Sequence, residues 1–183
     1  IEASDLAQLF EACDAIYIAS PHATHYEYAK RALEAGKHVL CEKPMTLVLS
    51  EAEELFQIAK ERKLILREAV KTAYCPGFLK LLEVAKSGVI GEICDVEAAF
   101  TKLESTCGRE FTDIESGGSV TELGTYCMLP IFKLMGCDYI NMRVQAINEP
   151  NGVDKYTKLY FTYENGMATA KMGLGVKSEG QLL

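Results

Sequence analysis

The chain has 183 residues, 49% of them hydrophobic, and a formal net charge of −7. This composition is typical of a folded globular protein, and the length allows one large or two small domains. The negative charge, with no Lys/Arg cluster to offset it, argues against nucleic acid or an anionic membrane as a partner. No apolar run approaches the ~20 residues of a membrane span.

Seven cysteines are scattered along the chain, and none of them forms a C-x-x-C pair. An odd, scattered set favours reduced thiols in a cytoplasmic protein over a disulfide framework. His22 and His25 could suggest a metal. No nearby Cys or carboxylate would complete the ligand set, so no metal site is expected.

The first part of the chain repeats a helix–strand pattern three times. Capping-box patterns predict helices that open at Asp5, Thr24 and Ser50. Short apolar runs rich in β-branched residues follow, and they predict strands over 15–19, 37–41 and 64–68. Such alternation predicts an α/β fold with a parallel sheet and right-handed crossovers.

The periodicity changes in the second part. Helices are predicted from Pro76 to about Gly88 and from Ser119 to about Met135. Four other segments alternate apolar and polar residues as one-sided strands do, and they begin near Cys94, Ile140, Leu159 and Ala168. Asn165-Gly166 predicts a hairpin between the last two. We therefore expect a mostly antiparallel open sheet here, with a domain boundary between residues 70 and 71.

Glu42, Lys43 and Pro44 follow the second predicted strand. Ligands of open α/β sheets bind outside the carboxyl ends of the strands. A charged pair beside a proline at such an end suits a binding site better than a core. On these three residues alone, a solvated loop with an ordinary ion pair is an equally good interpretation.

The stretch from Asp14 to Pro44 contains Ser20-Pro21-His22 and His25, then a helix that stops at Gly36, then Glu-Lys-Pro. It resembles the Gfo/Idh/MocA family of nicotinamide-dependent oxidoreductases, which includes glucose-fructose oxidoreductase, inositol dehydrogenase and dimeric dihydrodiol dehydrogenase. The resemblance extends over essentially the whole chain. It implies that residues 1–70 are the C-terminal half of a Rossmann-type sheet and that 71–183 are an α+β domain for substrate binding and oligomerisation.

The resemblance also implies a fragment of a longer enzyme. No G-x-G-x-x-G occurs in the chain. About two βα units of the family precede the part that matches here, and the C-terminal end of the family is missing. A cis peptide bond between Lys43 and Pro44 is a further expectation from the resemblance.

The implied activity is hydride transfer between NAD or NADP and the secondary alcohol or carbonyl of a sugar, polyol or dihydrodiol. The nicotinamide half of the cofactor site would be lined by Ser20, Pro21, His25, Glu42 and Lys43. Lys43 and Tyr126 would carry the proton chemistry, because a nearby ammonium lowers the pKa of a phenol.

Glu122 is a third catalytic candidate. Many family members carry Asp-x-Gly-x-His or Asp-x-Gly-x-Tyr in the corresponding helix, and this chain has Glu122-Leu-Gly-Thr-Tyr126. Periodicity alone favours a simpler interpretation, in which Glu122 complements the helix dipole and Tyr126 is a half-buried core residue. Arg109 is either a substrate contact or, more simply, a solvated loop residue.

Two other functions remain open on the same scaffold. One is a non-catalytic sensor of a dinucleotide or sugar, and the other is a glycosidase that uses bound NAD for transient redox steps. The sequence does not distinguish NAD from NADP. The expected partners are a small polyhydroxyl substrate and a second copy of the chain, joined through the open sheet.

Overall fold

The computed structural model describes residues 3–104 and 108–178. The chain divides into two compact units, one ending at Ala69 and the other beginning at Val70. Within the described residues, no helix is both long enough and apolar enough to cross a membrane.

The first unit contains a parallel sheet of three strands in the order β1-β2-β3. The strands are β1 (Ala15–Ile18), β2 (His38–Cys41) and β3 (Leu66–Glu68), and the helices are α1 (Leu6–Ala12), α2 (His25–Glu34) and α3 (Leu49–Glu61). Alternate strand residues and the apolar sides of the helices form the core, which includes Ile16, Val39, Leu66, Leu33 and Leu55. The predicted repeat of helices and parallel strands is confirmed.

The three predicted helix starts have different outcomes. Asp5 caps α1 as predicted, since its Oδ1 accepts from the Gln8 amide at 2.9 Å. Thr24 does not cap α2 with its side chain; its hydroxyl donates instead to the Pro21 carbonyl at 2.7 Å. The third predicted start is two residues late, because Val48 is the extended residue before the helix and α3 begins at Leu49, which places Ser50 inside the helix.

The second unit is built around a mixed sheet of four strands in the order β4-β7-β6-β5. The strands are β4 (Asp95–Lys102), β5 (Asn141–Asn148), β6 (Asp154–Tyr163) and β7 (Gly166–Leu174), and the helices are α4 (Pro76–Lys86), α5 (Arg109–Thr112) and α6 (Ser119–Met135). The pairs β5/β6 and β6/β7 are antiparallel, and β4/β7 is parallel. The predicted hairpin at Asn165-Gly166 and the predicted mostly antiparallel sheet are confirmed.

One face of this sheet packs on α6. Leu123, Cys127 and Ile131 of the helix join the buried cluster formed by alternate strand residues such as Phe161 and Met172. Residues of β5 are exposed along its whole length. The sheet is therefore covered on one side by its own helix, as the one-sided alternation of its strands predicts.

Candidate active site

In the first unit, the segment after β2 is held by main-chain hydrogen bonds at the carboxyl ends of the strands. The Glu42 amide donates to the Ile18 carbonyl at 2.8 Å, and the Ala69 amide donates to the Cys41 carbonyl at 2.7 Å. The Met45 amide donates to the Glu68 carboxylate at 2.8 Å. The Lys43–Pro44 peptide bond is cis, which confirms that prediction.

His25 ties this segment to the end of β1. Its ring nitrogens lie 2.8 Å from two carbonyl oxygens: Nδ1 from that of Pro44 and Nε2 from that of Ser20. The side chain is fully buried. With both nitrogens engaged inside the unit, His25 supports the backbone of this edge and does not present a ring nitrogen to a ligand.

Tyr17 reaches the Glu42 carboxylate from β1. Its hydroxyl donates to Glu42 Oε1 at 2.5 Å. The Lys43 amide lies 3.3 Å from the other carboxylate oxygen, Oε2. The bond to Glu42 raises the pKa of Tyr17, because ionising the phenol would break it and place two negative charges side by side.

Ser20, Pro21 and Lys43 complete this edge. The Ser20 hydroxyl lies 2.7 Å from Thr24 Oγ1, and its oxygen keeps a lone pair that can accept from a ligand hydroxyl. Pro21 is exposed, and Lys43 is half-buried. The predicted cofactor residues of the first unit are therefore grouped at the carboxyl ends of β1 and β2, where open α/β sheets bind ligands.

In the second unit, Glu122 and Tyr126 lie one turn apart on α6, as their spacing predicts. Glu122 Oε1 lies 3.2 Å from a guanidinium nitrogen of Arg109, and its side chain is only 14% exposed. The half-buried Tyr126 ring packs edge-on against Phe100, with 5.5 Å between ring centroids. Arg109 opens α5, is 42% exposed as a solvated residue would be, and also pairs with Glu122.

The start of α6 is held by Asp154, the first residue of β6. Asp154 Oδ2 accepts from the Val120 amide at 3.1 Å, from the Thr157 hydroxyl at 2.7 Å and from the Ser119 hydroxyl. Gly118 precedes the helix with φ +100°, and a Cβ there would overlap Asp154 Oδ1. This carboxylate satisfies the first turn of the helix that carries Glu122 and Tyr126.

Three supporting residues are absent from the sequence-based prediction. Tyr17 could have been found from the alternation of β1, since it lies on the opposite face from Ile16 and Ile18. Glu68 and Asp154 have no comparable local signal, because each bonds to a segment distant in the sequence.

Comparison with known proteins identifies the family to which this chain belongs. Residues 2–70 match the model of the GFO_IDH_MocA family, described as an oxidoreductase family with an NAD-binding Rossmann fold. Scyllo-inositol 2-dehydrogenase (NADP(+)) IolU of Bacillus subtilis is 32% identical over 88% of this chain and 51% of its own length. Trans-1,2-dihydrobenzene-1,2-diol dehydrogenase of Sus scrofa is 31% identical over 82% of this chain and 45% of its own.

Among solved structures, the 3-ketoreductase KijD10 of Actinomadura kijaniata, in complex with TDP-benzene and NADP, has a TM-score of 0.79 and 30% identity. That alignment covers 94% of this chain and 53% of the other. The chain therefore spans about half the length of the relatives that it matches. Sequence and fold together place this chain in the Gfo/Idh/MocA family of oxidoreductases.

Proposed function

We propose that this chain is part of an NAD(P)-dependent oxidoreductase that interconverts a secondary alcohol and a carbonyl on a sugar, polyol or dihydrodiol. The observation that carries the proposal is the Glu42–Pro44 segment at the carboxyl ends of β1 and β2, held in place by His25 and Tyr17. The polyol and dihydrodiol named for two relatives support the substrate class.

The residues of the first unit fit the nicotinamide half of a dinucleotide. A ribose offers hydroxyl donors and acceptors, and this edge provides the Glu42 carboxylate, the Ser20 hydroxyl and the Lys43 ammonium. His25 would act indirectly by supporting this edge, since its ring is buried and its two nitrogens lie 2.8 Å from the Ser20 and Pro44 carbonyl oxygens. We propose that Ser20, Pro21, Glu42 and Lys43 contact the cofactor, which supplies the hydride chemistry when bound.

Residues of the chain would carry out the proton transfer. We propose that the Tyr126 hydroxyl exchanges a proton with the substrate oxygen and that the Lys43 ammonium stabilises negative charge developing on that oxygen. Glu122 would hold the substrate through its carboxylate. Its ion pair with Arg109 keeps that carboxylate in one orientation, because a guanidinium binds with defined geometry.

Turnover of the complete native protein tests this proposal. Nicotinamide absorbance is followed with a panel of polyols, sugars and dihydrodiols. Lys43→Ala and Tyr126→Phe are each expected to lower turnover by about 10²–10⁴, the range for a positioned acid–base group. Lys60→Ala, on the exposed end of α3, and Tyr28→Phe, on α2, are the matched controls and should keep turnover near wild type.

Melting temperatures separate the catalytic role from a structural one. If Tyr126→Phe only lowers the melting temperature and the folded fraction turns over normally, the catalytic assignment fails. Dinucleotide binding without turnover of any substrate would favour a sensor, and release of a cleaved sugar would favour a glycosidase.

The proposal also covers the oligomeric state and the cellular location. We propose that a second copy covers the open face of the four-stranded sheet, where Ile147 and Met167 are 53% and 62% exposed. Sedimentation should show an oligomer that Met167→Glu weakens. We also propose a cytoplasmic location, because an odd and scattered set of seven cysteines favours reduced thiols.

A further inference from the structure

Tyr17 and Glu42 meet on the face of the first sheet that is opposite to its core. In the β1/β2 register, Tyr17 is the partner of Leu40, and Glu42 comes two residues after Leu40. Side chains two apart along a strand share a face, so the Tyr17 ring points toward the Glu42 carboxylate. The Tyr17 hydroxyl completes the approach with a bond of 2.5 Å to Oε1.

This bond leaves the Glu42 carboxylate with a donor at each oxygen. Tyr17 serves Oε1, and the main-chain amide of Lys43 lies 3.3 Å from Oε2. A glutamate at the end of a strand has three rotatable bonds, and ordering it for a ligand costs conformational entropy. A donor from a rigid neighbouring strand reduces that cost before the ligand arrives.

We propose that Tyr17 is a positioning residue, which orients the Glu42 carboxylate for the ribose hydroxyls of the nicotinamide cofactor. This inference rests on the proposed function, in which Glu42 contacts the cofactor. Tyr17 is 57% exposed in the described chain, and its hydroxyl makes the contact with Glu42.

A double-mutant cycle in the complete native protein tests the proposal. Affinity for NAD and NADP is measured by calorimetry for the wild type, Tyr17→Phe, Glu42→Ala and the double variant. Tyr17→Phe is expected to weaken cofactor binding by about three- to tenfold, the usual net value of one hydrogen bond, while kcat at saturating cofactor changes less. In the Glu42→Ala background, the same substitution should have no further effect.

Tyr26→Phe is the matched control. Tyr26 of α2 donates to Glu54 of α3 at 2.5 Å, the same kind of bond at the same distance, and neither residue belongs to the strand ends. Tyr26→Phe should leave cofactor affinity at the wild-type value. Equal affinities for Tyr17→Phe and wild type would overturn the proposal. The proposal would also be overturned if Tyr17→Phe weakened cofactor binding by the same factor in the Glu42→Ala background, since Tyr17 would then act on the cofactor directly.

Titration of the phenol separates this inference from the proposed function. The bond to Glu42 holds the pKa of Tyr17 above its ordinary value, so Glu42→Ala should lower it. Ultraviolet difference titration, with Tyr17→Phe as the blank, measures this without any cofactor. If Glu42→Ala leaves the pKa of Tyr17 unchanged, the hydrogen bond between Tyr17 and Glu42 is refuted. If that pKa responds but Glu42→Ala leaves cofactor affinity unchanged, the cofactor role of Glu42 is wrong, and the positioning role of Tyr17 falls with it.

Discussion

Removal of the Asp154 carboxylate should destabilise the start of α6 far more than its half-buried position suggests. Asp154→Ala leaves the Ser119 and Thr157 hydroxyls, which are 0% and 1% exposed, without their shared acceptor. An unpaired buried polar group costs about 1–3 kcal/mol. Loss of the bond to the Val120 amide, which acts as a helix cap, adds about 0.5–2 kcal/mol.

Counting two hydroxyls and one cap, Asp154→Ala should lower the free energy of unfolding by about 3–5 kcal/mol. This is the lower half of the summed range, because the hydroxyls can turn toward other acceptors or water. Asp154→Asn keeps one acceptor oxygen and the side-chain shape but loses the charge at the helix N-terminus, so about 1–2 kcal/mol is expected. Asp138→Ala, at an exposed aspartate just after the same helix, is the control and should change stability by no more than ~0.5 kcal/mol.

Native-state hydrogen exchange of the α6 amides in the complete protein measures these changes locally. Faster exchange should begin in the first turn and include Ser119 and Val120. If Asp154→Ala and Asp138→Ala give the same exchange rates, the carboxylate does not hold the helix start and the reasoning is refuted.

Three other measurements test separate features. Gly118→Ala should destabilise the protein by at least ~1 kcal/mol more than Gly152→Ala does. Both glycines have positive φ, but only at Gly118 would a Cβ meet Asp154 Oδ1. Chemical denaturation of the two variants measures the difference. Hydrogen bonds from Ser116, first of all from its hydroxyl, lower the pKa of Asp113. The stability that the Asp113 carboxylate contributes is therefore fully present above its unfolded pKa near 4, and it is lost as the pH falls through the lower folded pKa. Ser116→Ala should raise the pKa of Asp113 in a carbon-13 NMR titration; an unchanged value would contradict the assignment. Burial raises the pKa of the Cys41 thiol to about 12, so iodoacetamide should alkylate exposed Cys75 well before Cys41 at neutral pH, and equal rates would contradict it.

Local patterns predicted the elements of this chain because they depend on neighbours in the sequence. The alternation from Leu159 to Tyr163 and the Asn165-Gly166 turn are enough to specify a one-sided hairpin. The same local reasoning placed helix caps at Asp5, Thr24 and Ser50, and only Asp5 accepts the bond expected of it. Thr24 already has helical backbone, with φ −103° and ψ −7°, because a 3-10 turn over His22–Thr24 leads into α2, and an N-cap side chain needs non-helical backbone.

The candidate site was predictable in part. The Glu-Lys-Pro segment and the pair on α6 came from motifs, but their supporting bonds join distant segments. Arg109 and Glu122 are 13 residues apart, and Ser119 and Asp154 are 35 apart. Such pairs depend on how elements pack, and a single sequence does not contain that information in any local pattern.

The hydrogen bond between Tyr17 and Glu42 depends on the register of two strands and not on a local pattern. Twenty-five residues separate the two side chains, so nothing local links them. They meet only if Tyr17 pairs with Leu40, and a slip of one residue would move the β1 side chains to the other face. That slip would expose Ile16 and Ile18, which are 8% and 4% exposed, and burying each contributes about 1.5–3 kcal/mol. The apolar core on one face of the sheet therefore decides which polar groups meet on the other face. Substitutions that loosen this core should disturb the polar edge even where they touch none of its residues.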